Sequence, residues 1–474
     1  MKDKDKEYKD RILKGFRALI DFYRMEYTED LMPLFQDFGY LLIGALCQEN
    51  GRGKEYFRIA DLDTGDWFWK FKNEVLEEIE GTDLYESFKE FQLSTEKISV
   101  LSQILQILIE LLDIWDKAED ERFLYETVRE IYELCIHTKR DVGRYVLPDS
   151  YVKLLAQILD LEKSSEKEKE DFAILDPQAG AGTMLIAAGE YWTNGTLWGY
   201  EGDKRMQKSL EIFSVLSGRE IHRIEEEFLS DGTEKTYDII FANPCFTKEK
   251  IYDERSRMEP SVRIQSAYGL FLLKSLKALS VNGMEVLIVP DSFLFSTKVE
   301  FVDIRKWIFT KYRIEAVLSL PKNIFRNNSS VKSSVLIIRN ENMQPTSFMQ
   351  EEIWEEKNSY IFFYDLSVET EETLIDRWNQ REGLFQQWIR ESEEGTENYH
   401  LMKTPENWKF QELWFAEREA VIASKWNLLP DYYKPVQKQI LEFGNPEEVL
   451  EGLIEEQQEL LADMEELLWE VRNL

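Results

Sequence analysis

An α/β fold built on a parallel sheet is predicted for this chain of 474 residues by three features. Short apolar runs, "FAIL" (172–175), "TLWGY" (196–200), "YDIIF" (237–241), "MEVLIVP" (284–290), "IEAVLSL" (314–320) and "SSVLIIR" (333–339), alternate with segments of helical periodicity. Strands separated by helices need crossover connections, and these favour parallel pairing. A glycine turn follows the first run, and helical patterns flank the whole block.

Residues 1–139 read as an N-terminal helical domain. "STEKISVLSQILQILIELLDIW" (94–115) starts from an imperfect capping box, Ser94 with Lys97, and then carries apolar residues at helical spacing. "ERFLYETVREIYELCI" (121–136) continues the pattern, and Cys135 falls on its apolar stripe as a core residue. Residues 140–370 form the sheet domain. Charged "SSEKEKEDF" (164–172) precedes its first strand, "NENMQPTS" (340–347) marks an edge, and "YIFFYDL" (360–366) adds one more strand. Residues 371–474 read as a helical, coiled-coil region for partner contact. There Asn445-Pro446-Glu447-Glu448 is a helix start, with a capping Asn, Pro at the first position and acids in the first turn. Leu450, Ile454, Gln457, Leu461, Met464, Leu468 and Val471 then alternate by four and three residues, a heptad seam with one polar interruption.

A composition 43% hydrophobic and 13% aromatic excludes wholesale disorder. No apolar run reaches the ~20 residues that span a bilayer, and charged "MKDKDKEYKD" is no secretory signal, so a cytoplasmic protein without membrane contact is expected. Three cysteines and three histidines without ligand spacing give no disulfide framework and no metal site. The net charge of −33 is wrong for a lone DNA binder. Its distribution is uneven: roughly −11 over 1–140, roughly −2 over 141–340 and roughly −20 over 341–474, with about +7 inside 241–340. Acidic ends keep a protein soluble. They also fit an arrangement in which nucleic acid meets the basic middle while another chain supplies most phosphate contacts.

"FAILDPQAGAGTMLIAAGEYW" (172–192) is a strand, a turn with Gly180 and Gly182, and a helix. Such glycines let a ligand approach the backbone and leave the helix N-terminus open, and a side chain at Gly182 is expected to occlude that approach. Glu201, at the end of the next strand, stands at about the ~20-residue offset where an acid binds ribose hydroxyls. The third glycine of dinucleotide folds is missing, and Asp176 fits a cationic, amino-acid-bearing ligand.

The linked order "GRYVLPDSYVKLL" (143–155), "DPQAGAG" (176–182), "GYEGD" (199–203), "EFL" (227–229) and "NPCF" (243–246) resembles the N6-adenine DNA methyltransferases. More narrowly it resembles the modification subunit of type I restriction–modification systems, with "VPDSFLF" (289–295), "IRKWI" (304–308) and "LSLPKNIFRNNSSVKSSVLIIRN" (318–340) in support. The resemblance implies a Rossmann-like S-adenosylmethionine-dependent methyltransferase sheet. It places Arg144, Tyr145, Val146, Leu147 and Pro148 over the methionine end of the cofactor, Asp176, Gly180, Ala181, Gly182 and Thr183 along it, and Glu201 on its ribose. Glu227 and Phe228 would hold the adenine ring. It further implies DNA as substrate, a separate DNA-sequence specificity subunit, two copies of this chain per complex, and room for a restriction subunit. Two departures weaken cofactor contacts: Leu147 stands where the family has Thr, and Glu227 where it often has Asp.

A third departure is Cys245, in a loop that the family writes Asn-Pro-Pro-aromatic. Pro-Cys is the nucleophilic dipeptide of cytosine-5 methylation. Against that chemistry, Phe246 follows the cysteine, no Glu-Asn-Val acid motif lies downstream, and the cofactor-closing segment precedes the glycine turn. Exocyclic amine methylation needs no nucleophile: Asn243 and the Pro244 carbonyl accept the amine hydrogens and Phe246 stacks on the flipped base. Cys245 then reads as a tolerated substitution that loosens the loop, and Cys245→Pro is expected to stiffen it and raise activity. Together, Leu147, Glu227 and Cys245 also fit a second reading, a catalytically weakened, cofactor-binding scaffold.

Overall fold

The structure, a computed structural model, describes residues 3–48, 53–58, 66–136, 147–163, 172–224, 228, 235–245, 259, 261–322, 324–325, 331–341, 360–368, 371–394, 405 and 408–435. Among these, eight helices precede the first strand: α1 (Asp3–Glu26), α2 (Met32–Cys47), α3 (Gly53–Arg58), α4 (Asp66–Glu78), α5 (Leu84–Glu90), α6 (Ile98–Trp115), α7 (Phe123–Ile136) and α8 (Asp149–Lys163). By length and composition α6 is apolar enough to cross a membrane, yet half of it is buried. Val100, Ile104, Leu108 and Leu111 are fully enclosed where the helix packs on α1 and α3, which is the burial that an apolar stripe demands.

The sheet follows. Its first half holds β1 (Ala173–Asp176), α9 (Thr183–Tyr191), β2 (Thr196–Gly199), α10 (Lys204–Ser217), β3 (Ile221–Arg223) and β4 (Tyr237–Ala242). Then come α11 (Ala267–Lys277), β5 (Leu279–Pro290), α12 (Asp291–Phe295), α13 (Val299–Lys311), β6 (Arg313–Ser319), β7 (Ser333–Arg339) and β8 (Tyr360–Asp365). After α14 (Glu371–Glu394) and β9 (Leu413–Glu417), short helices at Arg418–Ala423 and Pro430–Tyr433 close the described chain. The strand order is β3-β2-β1-β4-β5-β7-β6-β8-β9. β1 to β5 pair in parallel, and β7 inserts antiparallel between β5 and β6.

Strands β1, β4 and β8 are buried along their whole length, as strands covered on both faces must be. Their apolar runs are therefore continuous, which is why they stand out in the sequence. Two strands were not anticipated there. β3, "IHR", has one buried apolar residue and sits at the sheet edge. β9, "LWFAE", lies in a region read as helical; five residues are too few to display a period. It pairs antiparallel with β8, so the sheet continues past residue 370. The heptad seam at 450–471 lies outside the described residues.

The late elements are tied to the early ones by one carboxylate. Glu162 of α8 accepts from Trp378 Nε1 (2.9 Å) and Arg381 Nη2 (2.8 Å) of α14 and from Arg339 Nη2 (2.6 Å) of β7. Trp378 is fully buried, edge-on to Phe362 of β8. Removing the shared acceptor takes this partner from the buried Trp378 indole N–H and from two guanidinium groups, of which Arg339 keeps Glu315 and Arg381 keeps the Trp378 carbonyl. Glu162→Ala is expected to cost about 3 kcal/mol in urea unfolding at neutral pH, and Glu162→Gln, which keeps one acceptor, about half of that.

Candidate active site

β1 ends at Asp176, whose Oδ1 accepts from the Gln178 amide (3.0 Å) and so starts the turn. Gly180 and Gly182 both take positive φ, 56° and 77°, where an L side chain is strained. Gly182 is the N-cap of α9, with no side-chain cap and no acid in the first turn. The helix therefore begins with open N–H groups and an uncompensated positive end. From the neighbouring turn after β2, Glu201 accepts from the Gly180 amide (2.9 Å) and the Asp203 amide (2.7 Å), tying the two turns together.

The two glycines are required for different reasons. A Cβ on Gly182 would stand 2.4 Å from Leu210 Cδ1 and 3.1 Å from Ile221 Cδ1, so it would drive into α10 and β3 rather than into a ligand. The occlusion expected of a side chain there is thus a packing clash. A Cβ on Gly180 meets only Met206 Cε, at 3.9 Å, and this is the glycine that faces open space.

β4 lies beside β1 in parallel, with Ile174 opposite Ile239 and Leu175 opposite Ile240. That register delivers Asn243, Pro244 and Cys245 to the same end of the sheet as the glycine turn. Pro244 is buried, Asn243 half-buried and Cys245 exposed. The Cys245 amide donates to Gln178 Oε1 at 2.7 Å, a direct contact between the two loops.

Electrostatically this end of the sheet is dominated by a buried carboxyl beside a second carboxylate. Asp176 is 2% exposed. Burial pushes its carboxyl up to about 7, the Gln178 amide opposes the rise, and the nearby negative charge of Glu201 adds to it. The arrangement fits the cationic, amino-acid end of S-adenosylmethionine.

A third wall comes from the helices. Leu147, Asp149 and Val152 face Arg129, Tyr132 and Glu133 of α7 across a small crevice that also reaches Thr183. Arg129 lies 2.5 Å from Glu133, 3.1 Å from Glu126 and 3.8 Å from Asp149, while Lys153 bridges Asp149 (2.6 Å) and Glu126 (3.2 Å). These pairs hold the start of α8, and Leu147-Pro148 before it, against α7. Phe228 is 2% exposed, with its ring against Phe271 of α11. Asp176, Gly180, Ala181, Gly182, Thr183, Glu201, Asn243 and Pro244 thus gather at the carboxyl ends of β1, β2 and β4, with Leu147 near Thr183. Arg144, Tyr145, Val146, Glu227 and Phe246 lie outside the described residues. Sequence reasoning missed Gln178, although it lies inside the glycine motif, and the α7 residues, whose charges look like any solvated helix face.

A glycine turn after β1, an acid after β2 and a polar loop after β4 on this strand order define the S-adenosylmethionine-dependent methyltransferase fold. The chain belongs to the N-6 DNA Methylase family, whose model matches residues 124–440. It is 23% identical over 396 residues to the methylase subunit of the type I restriction enzyme MjaVII of Methanocaldococcus jannaschii, covering 75% of this chain and 63% of that one. It is 22% identical over 359 residues to the MpnII methylase subunit of Mycoplasma pneumoniae, covering 66% of this chain and 64% of that one. The chain thus spans somewhat less than two thirds of these relatives' length. Its fold matches the type I restriction–modification methyltransferase subunit of Streptococcus thermophilus with a TM-score of 0.63 at 16% identity, over 90% of this chain and 99% of that one.

Two predictions follow from this geometry. Asp176 is protonated below about pH 7 and ionised above it, and a cation recruits the ionised form. Binding of S-adenosylmethionine should therefore release a proton and tighten as pH rises from 6 to 7.5, by up to about tenfold. Calorimetry in buffers of different ionisation heat checks this, and Asp176→Asn should flatten the profile. Gly182→Val should cost at least about 3 kcal/mol of stability through the clash with Leu210, whereas Gly180→Ala should cost about 1 kcal/mol and show its main effect in cofactor affinity.

Proposed function

We propose that this chain is the methyl-transferring subunit of an adenine-N6 DNA methyltransferase of the type I restriction–modification kind. The observation that carries the reading is the meeting of Asn243-Pro244, at the end of β4, with the glycine turn at the end of β1. S-adenosylmethionine, when bound, supplies an electrophilic methyl group on its sulfonium. Asp176 would hold the cationic end of the cofactor and the Gly180 backbone, which faces open space, would lie along it, while the open amides at the start of α9 would favour its carboxylate. Leu147-Pro148 would close over the methionine portion, Glu201 would serve the ribose and Glu227 the adenine ring, whereas the Phe228 ring is enclosed against Phe271.

The target adenine leaves the duplex at a cost of a few kcal/mol and stacks on Phe246. The Asn243 side-chain oxygen and the Pro244 carbonyl accept its two N6 hydrogens. Both acceptors pull the nitrogen lone pair out of ring conjugation and aim it along the methyl transfer line. Catalysis is then positioning and fixed dipoles in a site shielded from water, with no covalent intermediate. Cys245, one residue past these acceptors, is no nucleophile in this chemistry.

The net charge of −33 opposes DNA binding by the lone chain. A separate specificity subunit would read the sequence and supply phosphate contacts, with two copies of this chain per complex and room for a restriction subunit. The seam at 450–471 is the segment best suited to dock on that partner.

The test is methyl transfer from labelled S-adenosylmethionine to mixed-sequence DNA, with and without the specificity chain. Transfer to adenine N6 is expected in the complex. Asn243→Ala should lower kcat by at least about a hundredfold and leave cofactor affinity within twofold. Cofactor binding without any transfer in the complete complex would indicate a scaffold, and methylation of cytosine C5 would overturn the adenine assignment.

A further inference from the structure

We propose that Gln178 is a positioning residue that latches the 243–245 loop to the cofactor turn through the backbone amide of Cys245. The bond runs from Cys245 N to Gln178 Oε1 at 2.7 Å, between residues 67 apart in sequence. Gln178 is itself anchored, since its own amide donates to Asp176 Oδ1 at 3.0 Å. A continuous path of hydrogen bonds therefore joins the end of β1 to the loop that follows β4. Every link is made by a group whose placement matters to the site: Asp176 on the cofactor side, and the residue after Pro244 on the base side.

The latch exists only because residue 245 is not proline. A proline there fixes φ but has no N–H to give. This chain instead fastens the loop from outside with a hydrogen bond to a side chain of the neighbouring turn. The expectation that Cys245→Pro stiffens the loop and raises activity is reversed by this contact: the substitution deletes the donor and leaves Gln178 Oε1 without it. The side chain of residue 245 is incidental, because the backbone amide does the work. The same path couples the two halves of the site, since a cation that draws Asp176 into its ionised form strengthens the acceptor that orients Gln178.

This inference rests on the methyltransferase reading for its catalytic readout, and a second readout is independent of activity. Cys245 is the exposed member of the three cysteines, Cys135 being buried and Cys47 partly so, and its thiol therefore reports on the loop. The full chain, with its specificity subunit for the kinetic arm, is compared with Gln178→Met, Cys245→Pro, Cys245→Ala and the Gln178→Met/Cys245→Pro double variant. Gln178→Met keeps the length of the side chain and removes the acceptor. It and Cys245→Pro should each lower kcat about tenfold, the effect of one well-placed hydrogen bond, with the dissociation constant for S-adenosylmethionine within twofold. The double variant should be no worse than either single one, because both delete the same bond. Cys245→Ala keeps the amide and should stay within twofold. In the thiol arm, alkylation of Cys245 should be several-fold faster in Gln178→Met than in the parent chain, and Gln178→Glu, which restores an acceptor, should return it to the parent rate. Parent-like alkylation in Gln178→Met, or losses that multiply in the double variant, would overturn the latch. A parent complex that alkylates as expected but transfers no methyl would sink the methyltransferase reading while leaving the latch standing.

Discussion

The parallel pairing of β1 with β4 is the constraint on which the rest of the site depends. β2 and β3 lie to one side of β1 and β4 and β5 to the other, so the chain reverses its direction of travel across the sheet between these two strands. Loops that leave such a pair turn away from each other and open a crevice at the carboxyl end. Ile174 opposite Ile239 and Leu175 opposite Ile240 set the register. A slip of one residue would reverse which face every β4 side chain meets and would carry Asn243 out of reach of the glycine turn. The fully buried apolar runs of β1 and β4 make that slip expensive. Packing energy in the core thus holds polar groups in place at the rim.

With the register held, the charges at the rim acquire a direction. Asp176 is enclosed near a second carboxylate, Glu201, which is itself engaged by two backbone amides. The open start of α9 favours negative charge a few residues away. A ligand carrying a cation and a carboxylate on the same short segment meets both demands at once. Without a cation nearby, Asp176 relieves its burial by holding a proton up to about pH 7. The charge pattern at this rim is therefore set by where carboxylates are buried and where a helix starts uncapped.

Much of this was legible in the sequence because the informative segments are local. Seven of the strands, β1, β2, β4, β5, β6, β7 and β8, are apolar runs long enough to stand out, and the glycine turn is read within seven residues. What stayed hidden is either too short or too distant. β3 has three residues and two of them are polar; β9 has five. The contact of Gln178 with the Cys245 amide joins residues 67 apart, and no pattern in either segment announces it. Gly182 looked like a ligand-facing glycine, yet its α-carbon faces Leu210, because sequence shows that a residue is small without showing toward what. The α7 residues were hidden for another reason: Arg129 and Glu133 sit at i, i+4 spacing, which is also that of an ordinary surface pair.

The N-terminal helices are a wall of the site and take part in its architecture. Gln36 of α2 donates to the Arg205 carbonyl at the start of α10 (2.9 Å), and Phe35 packs on both Tyr132 of α7 and Phe213 of α10. Phe35, Tyr132 and Phe213 are all essentially excluded from solvent. Separating α2 and α7 from α10 would expose these three aromatic side chains together, at about 2 kcal/mol or more each. Rigid displacement of the helical layer is therefore a costly way to admit ligand. At the carboxyl end of the sheet the described link between the glycine turn and the loop after β4 is polar instead, the hydrogen bond from the Cys245 amide to Gln178, and there a single bond is large enough to matter.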